Sequence, residues 1–275
     1  MTPIPYIDIM LGQLEAAPPP PDGLHVHYGY WDTPPAGPVA EVYTAQCFMV
    51  ERMLTELRVE SGHQVLDVGC GVGGTLQALG NRVEGIRLTG LNYDTRQLDA
   101  ARRVVRVHAH NSLSWVVADA CAIPDSLGSF DRILALESPE HFASRLAFLK
   151  GAAKVLAPDG LLALSDIVSM SGLLELGRDP SEAKRLRAII EAGCGPWPEL
   201  WQAPDYQELG KQAGLEMVAW EDATVATMPS YPFFIEHARV DQLHALADAL
   251  QLLESWSQAR LVRYEIMSFR RKQPT

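Results

Sequence analysis

The sequence has little of what disulfide-linked, zinc-binding or membrane-spanning proteins depend on. Its four cysteines are scattered and never have the CxxC spacing; they are Cys47, Cys70, Cys121 and Cys194. This scatter argues against a disulfide framework or a zinc site and fits a reducing compartment. The N-terminus lacks the basic and long apolar regions of a signal peptide, and no run approaches about 18 uncharged apolar residues. We expect a soluble, cytoplasmic protein without a metal or a membrane span.

Positive charge is also scarce. Lysine and arginine total 23 against 34 acidic residues, which gives a net charge of −11. Nucleic-acid binding usually needs a basic surface, so we expect no nucleic-acid partner. The clearest basic cluster, Arg102, Arg103 and Arg106, is interpreted as the solvated face of a helix. Hydrophobic residues make up 47% of the chain, which is enough for a full core, and both a monomer and a homodimer remain open.

Short apolar runs alternate with helical spacing through the middle of the chain. The predicted strands are 63–68, 86–92, 114–120, 130–137 and 161–168. Strands that alternate with helices predict an α/β fold with a Rossmann-like, doubly wound parallel sheet. Asp94 is the predicted N-cap of the helix after the second strand, with Gln97 three residues later. The turn Pro158-Asp159-Gly160 is predicted to end the helix before the fifth strand.

The pattern divides the chain into four parts. They are an N-terminal lid and helix at 1–58, the alternating core at 59–169, a cap insertion at 170–202 and a return to the core at 203–275. The last part contains strand-like runs at 216–224 and 263–271. A helical insertion at about 229–259 separates these two runs.

The stretch VLDVGCGVGG (65–74) is a buried strand followed by a glycine-rich turn. It fits two patterns: the GxGxxG of dinucleotide sites, with glycines at 69, 71 and 74, and the DxGxGxG of S-adenosylmethionine sites, with Asp67 before the glycines. Both patterns need glycine where the backbone passes close to a ligand at a helix N-terminus. The turn alone does not decide between them.

Side chains at the ends of three strands favour S-adenosylmethionine. A nicotinamide site would place an acid after the second strand to hold the ribose, but Asn92 stands there, with Asp94 close by. Asp67, with bound water, can satisfy the ammonium of the cofactor's amino-acid end, and Asp119 can accept a hydrogen bond from the adenine amino group. We therefore predict S-adenosylmethionine as the cofactor. A nicotinamide-dependent oxidoreductase and a turn without a ligand are the alternatives.

Several motifs give the chain a recognisable family resemblance from about residue 24 to the C-terminus. They are HYGYW (27–31), VLDVGCGVGG (65–74), GLNYDTRQL (90–98), DACAIP (119–124), FDRILALESPEHF (130–142) and VLAPDGLLALSDIV (155–168). With these motifs the chain resembles the class I S-adenosylmethionine-dependent methyltransferases. It is most similar to a small-molecule branch that contains sugar O-methyltransferases of macrolide and rebeccamycin-type pathways. This branch is also similar to the sterol, tocopherol, phosphoethanolamine and prenyl-diphosphate methyltransferases.

The resemblance implies a seven-stranded sheet whose last strand, at 261–271, is antiparallel, together with an N-terminal lid and helical cap insertions. It also implies the residues that contact the cofactor. These are Tyr28, Tyr30, Asp67, Gly69, Cys70, Gly71, Asn92, Tyr93, Gln97, Asp119, Ala120 and Glu137. The two tyrosines would close over the cofactor from the lid, although simple core packing would also explain them. Asn92 departs from the acid that more distant relatives carry at its position.

The segment ALESPEHF (135–142) follows the fourth strand and carries the candidate catalytic residues. A hydroxyl acceptor benefits from a general base, usually a histidine, and His141 lies on the edge of the sheet where such folds bind ligands. Related sugar O-methyltransferases have a histidine in this segment, but some have two where this chain has Glu140-His141. Either residue therefore remains a candidate for the base. Glu137 is predicted to organise the cofactor or orient a side chain.

Aromatic residues in two later segments are candidates for the acceptor pocket, because large flat rings suit an apolar or aromatic acceptor. They are Trp197, Trp201, Tyr231 and Phe233, and packing of a cap onto the sheet would explain them equally well. The predicted function is methyl transfer from S-adenosylmethionine to a small-molecule secondary metabolite, at a hydroxyl oxygen. C- or N-methylation of a terpenoid, lipid or amine is the alternative enzyme, and a catalytically silent binding protein is the alternative of another class.

Overall fold

The protein is built around a seven-stranded sheet. The structure, a computed structural model, describes residues 6–16, 19–31 and 40–272. The strands are β1 (Gln64–Val68), β2 (Arg87–Asn92), β3 (Ser112–Val117), β4 (Phe130–Ala135), β5 (Leu156–Ser169), β6 (Leu215–Asp222) and β7 (Val262–Arg271). Their order is β3-β2-β1-β4-β5-β7-β6. Strand β7 runs antiparallel to both of its neighbours, β5 and β6, and the other strand pairs are parallel, which confirms the predicted fold class.

Helices cover both faces of this sheet. They are α1 (Ile7–Ala16), α2 (Ala40–Leu57), α3 (Gly74–Arg82), α4 (Thr95–Val104), α5 (Arg145–Val155), α6 (Ser171–Leu176), α7 (Pro180–Cys194), α8 (Tyr206–Ala213), α9 (Thr224–Thr227), α10 (Ser230–Val240) and α11 (His244–Gln258). The predicted cap of α4 is present, because the Asp94 side chain accepts a hydrogen bond from the Arg96 backbone nitrogen. Within the described residues, none of the helices is both long and apolar enough to cross a membrane.

The sheet topology decides where the ends of the strands meet. The chain passes from β1 outward to β2 and β3, and then returns to the other side of β1 to form β4 and β5. Ligands bind in such folds beyond the carboxyl ends of the strands, at the point where the order reverses. That point lies between β1 and β4, so the segments after Val68 and after Ala135 face each other there.

The turn Pro158-Asp159-Gly160 differs from its prediction. Helix α5 ends earlier, at Val155, and strand β5 has already begun at Leu156. Phe130 of β4 pairs with Leu156, but Arg132 pairs with Leu161, so four residues of β5 stand opposite one residue of β4. The turn is therefore a bulge within a strand. The proline is tolerated because it stands between two ladder pairs and is exposed.

The cap insertion and the later helical insertion pack against each other. Leu186 and Ile190 of α7 share one buried cluster with Ala249 and Leu253 of α11. On the opposite face of the sheet, helices α5 and α8 supply a second cluster that contains Phe148, Tyr206 and the strand residue Phe269. The segments at 170–202 and 229–259 therefore form one helical layer, which closes the space beyond β4 and β5.

Candidate active site

The glycine turn after β1 forms the floor of a cavity. Gly69, Gly71 and Gly73 have φ angles of 77°, 54° and 82°, a region that side chains other than glycine rarely adopt. At Gly69 there is also no room for a side chain, because an added Cβ would lie 2.5 Å from the Cβ of Ser138. The turn therefore brings bare backbone to the ligand edge of the sheet.

This first cavity has a volume of about 160 Å³ and runs along the carboxyl ends of β1, β2, β3 and β4. Ten of the residues predicted to contact the cofactor line it. They are Asp67, Gly69, Cys70, Gly71, Asn92, Tyr93, Gln97, Asp119, Ala120 and Glu137. The topology thus gathers in one wall side chains that are up to 70 positions apart in the sequence (67 to 137).

Asp67 stands at the end of β1 and is 3% exposed. Its burial raises the pKa of the carboxyl group to about 7, because a charged carboxylate is poorly solvated in that position. Within the described part of the chain, the structure shows no hydrogen bond or ion pair to this carboxylate. A buried acid with a free acceptor in a cavity wall is suited to a cationic ligand group.

Polar side chains after β2 and β3 continue this wall. Asn92 and Gln97 are 5% and 6% exposed, and both line the first cavity. Asp119 is exposed and caps a short turn by accepting a hydrogen bond from the Cys121 backbone nitrogen at 2.8 Å. This bond occupies one carboxylate oxygen of Asp119 and leaves the other for a ligand.

Glu137 follows β4 and connects the N-terminal segment to the sheet. Its carboxylate accepts hydrogen bonds from the Tyr28 backbone nitrogen at 2.8 and 3.0 Å and from the Tyr264 hydroxyl at 2.6 Å. Its own backbone nitrogen donates to the Ser165 hydroxyl at 3.0 Å. Burial outweighs these donors and raises the pKa of Glu137 to about 8. The residue is also held at a φ of 45°.

The two tyrosines of HYGYW have different surroundings, and neither lines the first cavity. The Tyr28 ring is buried with its centroid 4.8 Å from that of Tyr231, and it lines a second cavity. The Tyr30 hydroxyl donates to Glu221 at 2.9 Å on β6, outside both cavities. In this structure the backbone of Tyr28, rather than its ring, reaches Glu137 beside the cofactor residues.

His141 ends a short 3-10 turn, Pro139–His141, directly after the ligand edge of β4. Its Nδ1 lies 2.8 Å from the Pro196 carbonyl oxygen. A carbonyl only accepts, so Nδ1 carries the hydrogen and Nε2 keeps a free lone pair. Burial lowers the pKa of His141 below its usual value, and the hydrogen bond to Pro196 opposes this only in part. The imidazole is therefore neutral near pH 7.

Glu140 precedes His141 and is 5% exposed. Burial, together with the nearby Asp166 and Glu137 carboxylates, raises its pKa well above the usual range. Its Oε2 has no hydrogen-bond partner among the described residues. Burial therefore favours the protonated form of Glu140, which has an unused polar atom.

A second cavity of about 250 Å³ adjoins the first and shares part of its wall. The shared residues are Tyr6, Met10, Leu24, His25, Val26, Glu137, Glu140 and His141. The remaining wall is mostly apolar: Ile167 of β5 contributes to it, and the helical layer supplies Phe234, Leu246, Leu250 and Leu253. The candidate catalytic residues therefore stand where the two cavities meet.

Of the aromatic residues predicted for the acceptor pocket, Trp197 lines the second cavity. The other three lie outside its wall. The Tyr231 hydroxyl bonds to Ser257, Phe233 packs on Phe234 and His237, and Trp201 packs in the hydrophobic cluster of the helical layer. The leucines of α11 that supply much of the wall gave no sequence signal beyond ordinary helical spacing.

A buried ion pair behind the site is absent from the sequence predictions. Arg145 and Asp166 are 1% and 0% exposed, with Nε 2.6 Å from Oδ2. Arg145 also reaches Glu199 at 3.1 Å, and the Tyr206 hydroxyl donates to Asp166 at 2.7 Å. The signal that could have revealed it is an acid within the apolar run LLALSDIV. The pair joins α5 and β5 to the 195–202 loop that holds Pro196.

One cluster of possible metal ligands lies elsewhere. Glu84, His108 and His110 are exposed, and their ligand atoms lie within 4.8 Å of one another. They precede β2 and β3 and so stand at the amino edge of the sheet, opposite the cavities. The pairs His108–Glu84 and His110–Glu84 are 3.0 and 3.3 Å apart.

Comparisons with known proteins agree with this geometry. A family model described as a methyltransferase domain matches residues 65–160. Methyltransferase GfsG of Streptomyces halstedii is 35% identical over 212 residues, which cover 76% of this chain and 72% of the relative. The 27-O-demethylrifamycin SV methyltransferase of Amycolatopsis mediterranei is 30% identical over 210 residues, which cover 76% and 73%.

The fold has close counterparts among solved structures. A mycolic acid cyclopropane synthase complexed with S-adenosylhomocysteine has a TM-score of 0.77 to this chain at 17% identity, over 96% of this chain and 94% of the other. At this identity the likeness establishes the fold alone. The family assignment rests on the sequence relatives and the matching domain, which confirm the predicted family and cofactor. This chain therefore belongs to the class I S-adenosylmethionine-dependent methyltransferases.

Proposed function

We propose that this enzyme methylates a hydroxyl oxygen of a small secondary-metabolite acceptor, with His141 as the general base. The observation that carries the proposal is the hydrogen bond from Nδ1 to the Pro196 carbonyl oxygen. It leaves the Nε2 lone pair of a neutral imidazole in the wall where the two cavities meet. The name of the Amycolatopsis relative, which describes O-methylation, supports the same acceptor atom.

The residues of the first cavity fit S-adenosylmethionine. Asp67 offers a buried carboxylate to the ammonium of the methionine end, beside the bare backbone of Gly69 and Gly71. In this proposal Asn92 and Gln97 meet the ribose hydroxyls, and Asp119 and Ala120, which follow β3, hold the adenine. When bound, the cofactor would supply an electrophilic methyl group on a sulfonium, so that a bond from the acceptor oxygen to this methyl carbon replaces its bond to sulfur and S-adenosylhomocysteine is the leaving group.

His141 has one task in this reaction. It accepts the proton of the acceptor hydroxyl at Nε2 while Pro196 holds the ring from the other side. General-base assistance of this kind is worth about 10²–10⁴-fold in rate. Proximity and alignment contribute further, because the helical layer encloses the acceptor against the first cavity.

Glu140 is less suited to act as the base. Its raised pKa favours the protonated carboxyl group, and a protonated acid cannot accept the acceptor proton. Glu137 holds Tyr28 and Tyr264 and serves as a positioning residue. The sequence left both Glu140 and His141 open, and the hydrogen-bond geometry favours His141.

The charge of the second cavity argues against one of the alternatives. Among the described residues of its wall there is no lysine or arginine, whereas Glu137, Glu140 and Asp241 are present. A diphosphate acceptor needs cationic or metal partners. Prenyl-diphosphate methylation is therefore disfavoured, while C- or N-methylation of an uncharged terpenoid, lipid or amine remains the alternative.

The proposal includes a cytoplasmic location and a small molecule as the acceptor. All four cysteines are free, which supports a reducing compartment. The acidic net charge of −11 supports the absence of a nucleic-acid partner.

The test is turnover of methyl-labelled S-adenosylmethionine with a panel of hydroxylated polyketides and phenols. We expect His141→Ala to lower turnover by about 10²-fold or more, while the Kd of S-adenosylhomocysteine stays within about twofold. His110→Ala is the matched control, because His110 is 72% exposed at the opposite edge of the sheet. Unchanged turnover of His141→Ala, or a methylated carbon or nitrogen in the product, would contradict the proposal.

A further inference from the structure

Three residues that line the second cavity carry buried polar side-chain atoms without a partner within the described structure: Trp197 at Nε1, Glu140 at Oε2 and His25 at both ring nitrogens. Two of them, Trp197 and Glu140, lie beside the proposed base. Trp197 is 1% exposed and Glu140 is 5% exposed. Buried donors and acceptors are nearly always hydrogen-bonded in folded proteins, because an unpaired one costs free energy. Two such atoms in one cavity wall indicate a ligand that supplies the missing partners.

Both residues are neighbours of the groups that fix the proposed base. Glu140 immediately precedes His141, and Trp197 immediately follows Pro196, whose carbonyl oxygen holds His141 Nδ1. The backbone of Trp197 is itself held, since its carbonyl oxygen accepts a hydrogen bond from Arg187 at 2.8 Å. A group bound by these side chains therefore lies close to the hydroxyl that His141 deprotonates.

The chemistry of the two atoms limits what they bind. An indole N–H only donates, so Trp197 requires an oxygen acceptor on the ligand. A carboxylic acid can donate to the same oxygen or to a neighbouring one. Within the described residues the cavity wall carries no lysine or arginine, so a negatively charged ligand group would lack a cationic partner.

Beyond these polar groups, the cavity wall is mostly apolar, with His237 and Asp241 as polar exceptions. Leu246, Leu250 and Leu253 of α11 line it together with Ile167 and Phe234. A ligand body in contact with these apolar side chains gains free energy by leaving water.

We propose that Trp197 and Glu140 form a subsite for a second oxygen of the acceptor. The preferred acceptor is then an uncharged molecule with an apolar body and an oxygen function on the carbon next to the methylated hydroxyl, or one carbon further. Vicinal diols, ortho-diphenols and hydroxyketones belong to this class. The inference rests on the proposed function, because the first oxygen is the one beside His141.

The experiment measures binding by calorimetry to the protein saturated with S-adenosylhomocysteine, so that no methyl transfer occurs. The probes are 2-naphthol, 2,3-dihydroxynaphthalene and 3-hydroxy-2-naphthoate, which share a flat apolar body and differ in the second group. We expect the diol to bind about tenfold tighter than 2-naphthol, as one to two hydrogen bonds allow. The carboxylate should bind more weakly than the diol.

Variants assign this preference to the subsite. Trp197→Phe keeps a ring but loses the donor, and should reduce the preference for the diol to within about twofold. Trp201→Phe is the matched control, since it makes the same change outside the cavity, and should keep the preference. Glu140→Leu should also lose the preference for the diol. Glu140→Gln retains hydrogen-bonding atoms and should keep part of this preference.

Several outcomes would overturn the inference. They are equal affinities of the two neutral naphthols, tighter binding of the carboxylate, no binding of any probe, or an unchanged preference in Trp197→Phe. Loss of the proposed function has a different signature, because it appears as unchanged turnover in His141→Ala. The diol preference is measured without turnover, so the two failures are distinguishable.

Discussion

Asp67 shows how one buried residue couples cofactor binding to pH. In the cofactor-free protein its pKa is raised to about 7, so the carboxyl group is largely protonated at mildly acid pH. A cationic ligand group requires the carboxylate, and binding must then displace a proton. The charge of the site is therefore set by the ligand as well as by the fold.

We expect the Kd of S-adenosylhomocysteine to rise by up to tenfold for each pH unit below about 7 and to be constant between about pH 7.5 and 8.5. Calorimetry across this range provides the measurement. Asp67→Asn should bind more weakly at every pH and show a flatter profile. A wild-type affinity that is independent of pH would contradict the role of Asp67.

His141 predicts a second pH dependence, this time in the rate. Burial lowers its pKa below 6.5, so the base is already neutral at pH 7. With any acceptor that is turned over, kcat/KM should rise with pH only below about 6.5 and be flat above it. The His141→Ala variant should lack this acid limb, and a wild-type limb centred above pH 7 would exclude His141 as its source.

At the scale of an element, the glycine turn combines two separate demands. Gly69 needs a left-handed conformation and a close approach to Ser138. Gly62, at the start of the core, needs only the first, because it has a φ of 90° and an added Cβ would meet nothing within 4 Å. The two positions therefore form a natural pair for comparison.

We expect Gly62→Ala to cost about 1 kcal/mol of unfolding free energy and to leave cofactor affinity unchanged. Gly69→Ala should cost more, and it should lower cofactor affinity by at least about tenfold, because Ser138 or the turn must move. Urea unfolding and calorimetry measure the two effects. Equal behaviour of the two variants would show that the contact with Ser138 is unimportant.

The pair formed by Arg145 and Asp166 connects helix α5 to strand β5 beneath the site. Removal of one partner leaves the other charged and buried, which costs about 3–5 kcal/mol. Arg145→Met should therefore lower the unfolding free energy by this amount in urea. Arg185→Met, in the exposed pair with Glu182, should stay within about 1 kcal/mol. A small effect at Arg145 would mean that water reaches the pair.

At the scale of the whole molecule, buried carboxyl groups and buried histidines have opposite effects on how stability changes with pH. The folded-state pKa values of Asp67 and Glu137 are raised to about 7 and about 8, so the stability they contribute is fully present below their unfolded pKa values and is lost as the pH rises. Those of His25 and His27 are lowered to about 3 and about 4, so their contribution is present above 6.5 and is lost as the pH falls. Above pH 6.5, only the two carboxyl groups among these four residues still titrate.

The two contributions cancel between about pH 4.5 and 6.5, so the cofactor-free protein should keep its stability across that range and lose it between about pH 6.5 and 8.5. The urea midpoint across this window is the measurement. The double variant Asp67→Asn, Glu137→Gln should flatten the decline. A midpoint that rises with pH in the wild type would contradict the assigned pKa directions.

The sequence by itself determined the parts of this protein that depend on local patterns. Buried apolar runs predicted all seven strands, and Asp94 was recognised as a cap from its place before a helical pattern. The cofactor edge was also predictable, because parallel strands bring their carboxyl ends together. Ten of the twelve cofactor residues that the family resemblance implies line one cavity at this edge.

Only the tertiary structure decided the features that depend on contacts between distant segments. The bond between His141 and Pro196 spans 55 positions, and Tyr30 lies beside Glu221 rather than in the cavity. The 170–202 and 229–259 segments form one layer because their apolar faces cover each other. Local spacing can show that a face must be buried, but only the packed chain fixes which face covers it. The shape of the acceptor cavity, and therefore the choice of acceptor, is fixed by this packing between distant segments.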